Sequence, residues 1–232
     1  ASMKCIGLIG GMSWESTAVY YAGINKAVRE RLGGLHSGHI LMESLDFQGI
    51  VALQKSGDWD GAAEVLGTSA KHLSAGGAEC VLVCTNTMHI IADQVRERSP
   101  AKLIDIIDET GKALAKANAR RPLLLATRYS MEHGFYHDRM MDLHGIDLLV
   151  PDAAGREAMH RIIFEELCCG IVRDESREIV SAIIELGKTE GADSVILGCT
   201  EICLLIGQQD TDLPVFDSTA IHVAAAVEFA LN

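Results

Sequence analysis

Short apolar runs alternate with longer amphipathic stretches along the chain. Residues 4–9 and 80–83 are mainly apolar and predict buried strands. Residues 14–32 carry apolar side chains on one helical face, with Ser13 before them as a predicted helix cap. Residues 59–75 predict a second helix. A glycine pair follows each of these two stretches, as is typical of helix ends.

The same alternation continues to the end of the sequence. Further strands are predicted at residues 39–45, 103–107, 123–126, 146–150, 195–197 and 215–216. Further helices are predicted at residues 85–95, from 108 to about 117, between 128 and 145, at 156–189 with a break near Gly170, and at 221–231. Strands that alternate with helices indicate parallel sheets covered on both faces, and hence an α/β fold.

One stretch of the sequence occurs twice. Residues 77–87 and 191–201 both contain glycine, alanine, an acid, a small residue, four residues of buried type and a cluster of small polar residues. When the two stretches are aligned, Thr85 occupies the position that corresponds to Cys199. The other predicted strands repeat in the same order, so we expect two similar, pseudo-symmetric domains, each a parallel sheet flanked by helices.

The boundary between the two halves is predicted near residues 119–122, where two arginines precede a proline. The last strand and helix are expected to pack back on the first half. The predicted first domain is therefore residues 1–118 plus 213–232, and the predicted second domain is residues 119–212.

Composition narrows the range of partners and compartments. A formal net charge of −12 argues against nucleic acid and anionic membranes as partners. No apolar run reaches the roughly 18 residues of a membrane-spanning helix. The seven cysteines are odd in number and several lie in strand-like runs, so we expect a reducing, cytoplasmic environment rather than a disulfide framework.

Small polar residues follow the predicted strands, at the edge where ligands bind in open parallel sheets. These candidate site residues are Gly11, Met12, Ser13, Gln48, Thr85, Asn86, Thr87, Thr127, Cys199, Thr200 and Glu201. Backbone N–H groups at such positions bind small carboxylates. They are also expected to lower the pKa of a thiol, so that Cys199 would act as a base toward the α-proton of a bound acid.

Three of these motifs together resemble the aspartate/glutamate racemase family. They are Gly10-Gly11-Met12-Ser13, Thr85-Asn86-Thr87-Met88-His89 and Leu197-Gly198-Cys199-Thr200-Glu201, and the resemblance covers essentially the whole chain. It implies two α/β domains with the active site at their interface, usually in a homodimer. It also implies racemisation of an amino acid by two cysteines, without pyridoxal phosphate, another cofactor or a metal. Glu201, where glutamate racemases carry histidine, points to the aspartate branch.

The sequence departs from the family at the first cysteine. Thr85 stands in its place, and Cys84 is one residue too early, so its side chain should point away from the site. We therefore predict a kinetically one-sided racemase that prefers L-aspartate or L-glutamate. Cys199 is its base, and Thr85 is a weak proton donor or a substrate-positioning residue.

The side-chain specificity of the site is a separate question. The arginine and lysine that hold side-chain carboxylates in other family members are missing at residues 46–49 and 167–170. Arg128 and Arg161 are candidate replacements, and His89, one turn beyond Thr85, is a possible supporting residue.

Two other functions remain open on sequence grounds. One is a single-cysteine decarboxylase or isomerase of the same superfamily, and the other is a non-catalytic protein that binds amino acids. A four-thiolate metal site, built from Cys80 with Cys84 and Cys199 with Cys203, is not expected, because the intervening residues are predicted strand or helix core rather than a short turn.

Overall fold

The computed structural model describes residues 2–232, which divide into two compact units. The first unit comprises the chain up to Asp105 together with His222–Asn232, and the second comprises Ile106–Ile221. The strands are β1 (Ile6–Gly10), β2 (Ile40–Ser44), β3 (Cys80–Val83), β4 (Lys102–Leu103), β5 (Pro122–Leu125), β6 (Ser194–Leu197) and β7 (Val215–Asp217). The helices are α1 (Trp14–Leu32), α2 (Phe47–Ser56), α3 (Trp59–Ala75), α4 (Ala92–Arg98), α5 (Ile106–Lys116), α6 (Arg128–Glu132), α7 (Phe135–His144), α8 (Ala153–Arg161), α9 (Asp174–Thr189) and α10 (Ser218–Leu231).

The first unit contains a parallel sheet with strand order β2-β1-β3-β4. Successive side chains of its central strands alternate between two apolar clusters, one on each face. Ile6 and Leu8 pack with residues of α1 and α10. Ile9 packs with residues of α2, α3 and α4 on the other face. Because β1 is covered on both sides, all five of its residues are buried.

The second unit contains a parallel sheet with strand order β5-β6-β7. A single apolar cluster joins this sheet to α5, α7, α8 and α9. The region predicted as one long helix at residues 156–189 is divided into α8, a π-helix at Ile162–Glu166, a 3-10 helix at Leu167–Cys169, and α9. The predicted break at Gly170 is present, and that glycine has a φ of 76°.

Several predicted elements differ from the structure. The strand predicted at residues 103–107 ends at Leu103, and Ile106 and Ile107 begin helix α5 instead. The strand predicted at 146–150 is reduced to one isolated bridge between Leu149 and Leu123. Helix α2 was not predicted at all, although Asp46 caps it by accepting a hydrogen bond from the Gln48 backbone N–H.

The domain boundaries also differ from the prediction. The first unit does take up the C-terminal end of the chain, but the boundaries fall after residues 105 and 221 rather than after 118 and 212. Strand β7 pairs with β6 and so belongs to the second sheet. Of the segment 213–232, only the part from His222 onward joins the first unit.

Candidate active site

The turn after β1 is shaped by a close approach of two backbones. Gly11 has a φ of 87°, and a Cβ atom there would lie 2.1 Å from the carbonyl oxygen of Leu45. Only glycine tolerates both conditions. The Gly11 N–H donates to Thr17 Oγ1 over 2.8 Å. Ser13 caps α1 as predicted, accepting a hydrogen bond from the Ser16 N–H, whereas Met12 is buried in the apolar cluster beneath the turn.

The turn after β3 carries Thr85, Asn86 and Thr87. Thr85 is half-buried, and the other two are buried. A 3-10 helix at Thr87–Ile91 follows instead of the predicted α-helix. His89 is buried in this helix, and its Nδ1–H donates to the Thr85 carbonyl oxygen over 2.8 Å. Because β1 and β3 are parallel neighbours, this turn and the turn after β1 lie at the same edge of the sheet.

Cys84 lies in the core of the first unit. Its side chain is fully buried in the apolar cluster that α1 and α10 form with the sheet. Burial raises the pKa of its thiol well above the ordinary range. In this position the thiol is held as a neutral core residue, which agrees with the expectation that it points away from the site.

A buried polar network behind the Thr85 turn was missed by sequence reasoning. The Tyr20 hydroxyl donates to His222 Nδ1 over 2.6 Å, and His222 Nε2–H donates to the Ile104 carbonyl oxygen over 2.7 Å. The His222 ring lies edge-on to His89, with the centroids 5.8 Å apart. Burial, and secondarily the neighbouring His89, lower the pKa of His222 to about 3. His222 is therefore a neutral hydrogen-bonding residue near neutral pH.

Gln48 lies in the first turn of α2, where its side chain is exposed. Leu45, at the end of β2, donates its N–H to the Gly10 carbonyl oxygen over 2.9 Å. This bond ties the segment before α2 to the turn after β1, so Gln48 lies at the same edge of the sheet as the other candidate residues of the first unit.

In the second unit, Thr127 and Arg128 follow β5. Thr127 caps α6 by accepting a hydrogen bond from the Ser130 N–H. The Arg128 backbone N–H donates to His160 Nδ1 over 3.0 Å, while its side chain is exposed. Burial and the Arg128 charge lower the pKa of His160. Arg161 lies 3.6 Å from the buried Glu166 carboxylate, so it is already partly neutralised.

Cys199 follows β6 in an extended conformation and is half-buried. Its thiol donates a hydrogen bond to Glu201 Oε2 over 2.8 Å. Burial is the largest influence on its pKa, and the Glu201 charge and the bond to Glu201 add to it, so the pKa is raised well above its ordinary value. The expectation of a lowered pKa was therefore wrong, because it considered the backbone N–H groups but neither the burial of the thiol nor the carboxylate two residues later.

Helix α10 holds the residues that flank Cys199. The Ser218 hydroxyl donates to the Leu197 carbonyl oxygen over 2.7 Å, and the Thr200 and Thr219 hydroxyls are hydrogen-bonded over 2.9 Å. The turn after β6 is thus anchored on both sides of the thiol. Thr127 and Cys199 follow adjacent parallel strands and so lie at the same edge of this sheet.

Cys168 is a further neighbour of the Cys199 thiol that the sequence did not single out for the site. It is half-buried in the 3-10 helix Leu167–Cys169, which packs against the 3-10 helix Thr200–Leu204. Cys168 contributes to raising the Cys199 pKa. A cysteine side chain therefore lies in the segment where the family was expected to carry a lysine.

The sheet edge of the second unit, where Thr127 and Cys199 lie, is suited to proton transfer. In the free protein the Cys199 thiol is protonated and donates its hydrogen bond to the Glu201 carboxylate, so an acid and a base lie side by side.

Among residues 2–232, no group of three or more histidine, cysteine, aspartate or glutamate side chains is arranged to hold a metal ion. Over the same residues, no helix is both long and apolar enough to cross a membrane.

Comparison with known proteins connects both units to one family. The sequence model described as Asp/Glu/Hydantoin racemase matches residues 9–226, which span nearly the whole chain. A solved structure of a candidate Asp/Glu racemase from Yersinia pestis is 47% identical, with a TM-score of 0.94, over 99% of this chain and 100% of that one.

Two further solved structures are also similar to this chain. An aspartate racemase homologue from Pyrococcus horikoshii OT3 is 35% identical, with a TM-score of 0.86, over 99% of this chain and 100% of that one. The aspartate racemase of Picrophilus torridus is 20% identical, with a TM-score of 0.77, over 98% of this chain and 94% of that one, and it shares the fold. The extent of the family match and the two closer structures agree with the three motifs, and this chain belongs to the Asp/Glu/hydantoin racemase family.

Proposed function

We propose that the protein racemises an acidic amino acid without pyridoxal phosphate, using Cys199 to exchange the α-proton. The observation that carries this proposal is the 2.8 Å hydrogen bond from the Cys199 thiol to Glu201 at the end of β6. Family membership and the aspartate racemase-like structures support racemase activity and thus an isomerase. The site needs only side chains and backbone groups of this chain.

In the proposed mechanism Glu201 receives the thiol proton. The free protein holds Cys199 as a thiol, because burial and the Glu201 charge disfavour the thiolate. A bound amino acid brings an ammonium group, whose positive charge lowers the thiol pKa. The thiol proton then moves to the Glu201 carboxylate, and the thiolate removes the α-proton of the L-enantiomer. The carbanion then gains a proton on its opposite face, from water or from the Thr85 hydroxyl, which regains its own proton from water, to give the D-enantiomer. Cys199 keeps the proton taken from the substrate, and Glu201 returns to the solvent the proton that it received.

The second proton donor is the feature that sets this chain apart from its family. Thr85 follows β3 where the family carries its first cysteine, and Cys84 is fully buried in the core. An alkyl hydroxyl is a weaker acid than a thiol, and a much weaker proton acceptor than a thiolate. We therefore expect exchange to start readily from the L-enantiomer and slowly from the D-enantiomer. The net reaction still obeys its equilibrium, so the asymmetry is kinetic.

The side-chain preference is proposed to be aspartate or glutamate. Arg128 has an exposed guanidinium beside the Thr127 turn, at the same sheet edge as Cys199, which makes it the better candidate for a side-chain carboxylate. Arg161 is less available, because it lies next to Glu166. The remaining proposals follow from the family and the free thiols: a homodimer, and a cytoplasmic location in which the seven cysteines stay reduced.

One alternative is favoured by a specific observation. A thiol that is protonated at rest is the state required to protonate an enolate formed by loss of CO2 from a malonate. Cys199 is held in that state. A decarboxylase or isomerase of the same superfamily that uses one cysteine is therefore the second candidate function.

The test is α-deuterium exchange in D2O, followed by proton NMR, on both enantiomers of aspartate, glutamate and several neutral amino acids. We expect faster exchange of the L-enantiomers, and a loss of at least ~100-fold in Cys199→Ser, as for removal of a general base. Cys169→Ser is the matched control, because Cys169 is an exposed thiol outside the site.

The other outcomes of this test are equally clear. Thr85→Cys should accelerate exchange of the D-enantiomer. Equal, rapid exchange of both enantiomers by the unmodified protein would refute the one-sided mechanism. Absence of exchange on every amino acid, together with release of CO2 from an arylmalonate, would favour the decarboxylase.

A further inference from the structure

The turn after β3 closes over Thr85 without the hydrogen bond that an α-helix would supply. In a continuous α-helix the backbone N–H of residue 89 donates to the carbonyl oxygen of residue 85, four positions earlier. Here the turn opens into the 3-10 helix Thr87–Ile91, and the His89 N–H donates to the Asn86 carbonyl oxygen over 3.0 Å. The backbone of His89 is thus diverted from Thr85 to Asn86.

The ring of His89 replaces the diverted backbone donor. Its Nδ1–H donates to the Thr85 carbonyl oxygen over 2.8 Å. His89 therefore holds two consecutive carbonyl oxygens, that of Asn86 with its backbone and that of Thr85 with its side chain. Because His89 is buried, little water is available to take over this bond, and its removal would release the Thr85 carbonyl group.

Residues of three other segments hold the His89 ring from behind. The His222 ring on α10 lies edge-on to it, with the ring planes 66° and the centroids 5.8 Å apart. His222 is itself held at both ring nitrogens, by the Tyr20 hydroxyl on α1 and by the Ile104 carbonyl oxygen after β4. Tyr20 and His222 are fully buried. The core of the first unit therefore sets the direction in which the His89 Nδ1–H points.

The hydrogen bond from His89 suits it to orient Thr85 rather than to transfer a proton. The Nδ1 proton is directed at a carbonyl oxygen, which is too weak a base to accept it. The bond instead fixes the backbone of Thr85. A threonine side chain is stiff about its first torsion, so the backbone also determines where the hydroxyl lies.

We propose that His89 is a positioning residue for Thr85, and that it keeps the Thr85 hydroxyl where it can protonate the carbanion on the face opposite the thiolate. Tyr20 and His222 act behind it, through the His89 ring. This role rests on the proposed function, and it selects the Thr85 hydroxyl rather than water as the second proton donor. A weak donor depends on accurate placement, because a shift of about 1 Å can slow a step about 100-fold.

The test follows the carbanion in D2O, starting from the L-amino acid that the unmodified chain exchanges fastest. Deuterium returned by Cys199 gives the deuterated L-enantiomer, and deuterium added on the other face gives the deuterated D-enantiomer. The early ratio of D- to L-product, measured by chiral chromatography with mass spectrometry, therefore reports the second donor. His89→Leu should lower this ratio about tenfold and total deuterium incorporation by less than about threefold.

Three further variants separate positioning from loss of stability. His89→Asn places an amide N–H at the position of Nδ1 and should keep the ratio within about threefold of the unmodified chain. Val28→Ala is the control, since it removes apolar atoms from the buried cluster that contains Tyr20 and should leave the ratio unchanged. Thr85→Val lacks the hydroxyl, so adding His89→Leu to it should lower the ratio no further.

The proposal is overturned if His89→Leu leaves the ratio unchanged, if it lowers the ratio and total incorporation by the same factor, or if it lowers the ratio further in the Thr85→Val background. If the unmodified chain exchanges no amino acid at all, the proposed racemisation fails, and the role of His89 fails with it. Nitrogen-15 NMR of the imidazole rings is independent of activity. It should show the His89 proton on Nδ1, and a proton on Nε2 alone would refute the hydrogen bond to Thr85.

Discussion

The buried imidazole of His222 should make the first unit sensitive to acid. In the folded protein His222 donates to the Ile104 carbonyl oxygen and accepts from Tyr20, and burial lowers its pKa from 6.5 to about 3. In the unfolded chain the His222 imidazole becomes protonated as the pH falls below about 6.5, whereas in the folded chain it stays neutral down to about pH 3. The free energy of unfolding therefore falls as the pH drops through this window.

The size of the effect follows from the two pKa values. Their difference corresponds to about 5 kcal/mol if the whole window is crossed. Between pH 7.5 and 4.5 the loss is about 2.5 kcal/mol from this residue alone. His222→Gln keeps an N–H donor for the Ile104 carbonyl oxygen but has no proton to gain. We expect the variant to be less stable than the unmodified chain at pH 7.5, and to lose correspondingly less stability on acidification.

The assay is urea denaturation at several pH values, followed by tryptophan fluorescence. Both tryptophans, Trp14 and Trp59, lie in the first unit, so their emission reports the unit that contains His222. Val223→Ala is the control: it removes buried apolar atoms from the same helix and should lower stability equally at every pH. If the stability difference between His222→Gln and the unmodified chain is the same at pH 7.5 and 4.5, the reasoning about His222 is wrong.

Two further predictions concern the turns at the strand ends. Glu201→Gln removes the negative charge that, together with burial, raises the Cys199 pKa. Alkylation of Cys199 by iodoacetamide at pH 8, followed by mass spectrometry, should therefore become faster, and an unchanged or slower rate contradicts this. Gly11→Ala should destabilise the protein by about 3 kcal/mol or more in thermal unfolding, because strain at a φ of 87° adds to the collision with Leu45. Gly57→Ala separates the two causes: Gly57 has a φ of 69° in the left-handed helical region with no atom near its Cβ position, and its replacement should cost about 1 kcal/mol. Equal losses in both glycine variants would show that the collision with Leu45 contributes nothing.

The best-predicted helices were those with clear signals at both ends. Helices α1 and α3 have the predicted bounds, since Ser13 and Asp58 cap their first turns and glycines follow their last. Short apolar runs were less informative, because a strand and a buried helix turn look alike over a few residues. Ile106 and Ile107 show this ambiguity: both are buried, but in the first turn of α5.

The places of the candidate site residues at the strand ends were easier to predict than the pKa of the Cys199 thiol. Chain order alone places Thr85 at the edge of the first sheet and Cys199 at the edge of the second, because the parallel strands within each sheet bring their carboxyl ends to one edge of that sheet. The pKa of Cys199 depends on burial and on the direction of the Glu201 side chain, and neither is fixed by spacing. The pairing of Tyr20 with His222 joins residues 202 positions apart and has no local sequence signal.

The division of the first unit between the two ends of the chain affects the order in which the protein can fold during synthesis. Residues 106–221 leave the ribosome before His222–Asn232, so the second unit has its full sequence first. Until the last helix is made, the cluster that contains Ile6 and Leu8 lacks the apolar side chains of α10. The Lys4 N–H likewise has no Ala230 carbonyl to bind. The nascent first unit therefore exposes the part of one apolar face that α10 later covers, and during that interval it is most open to aggregation or to binding by a chaperone.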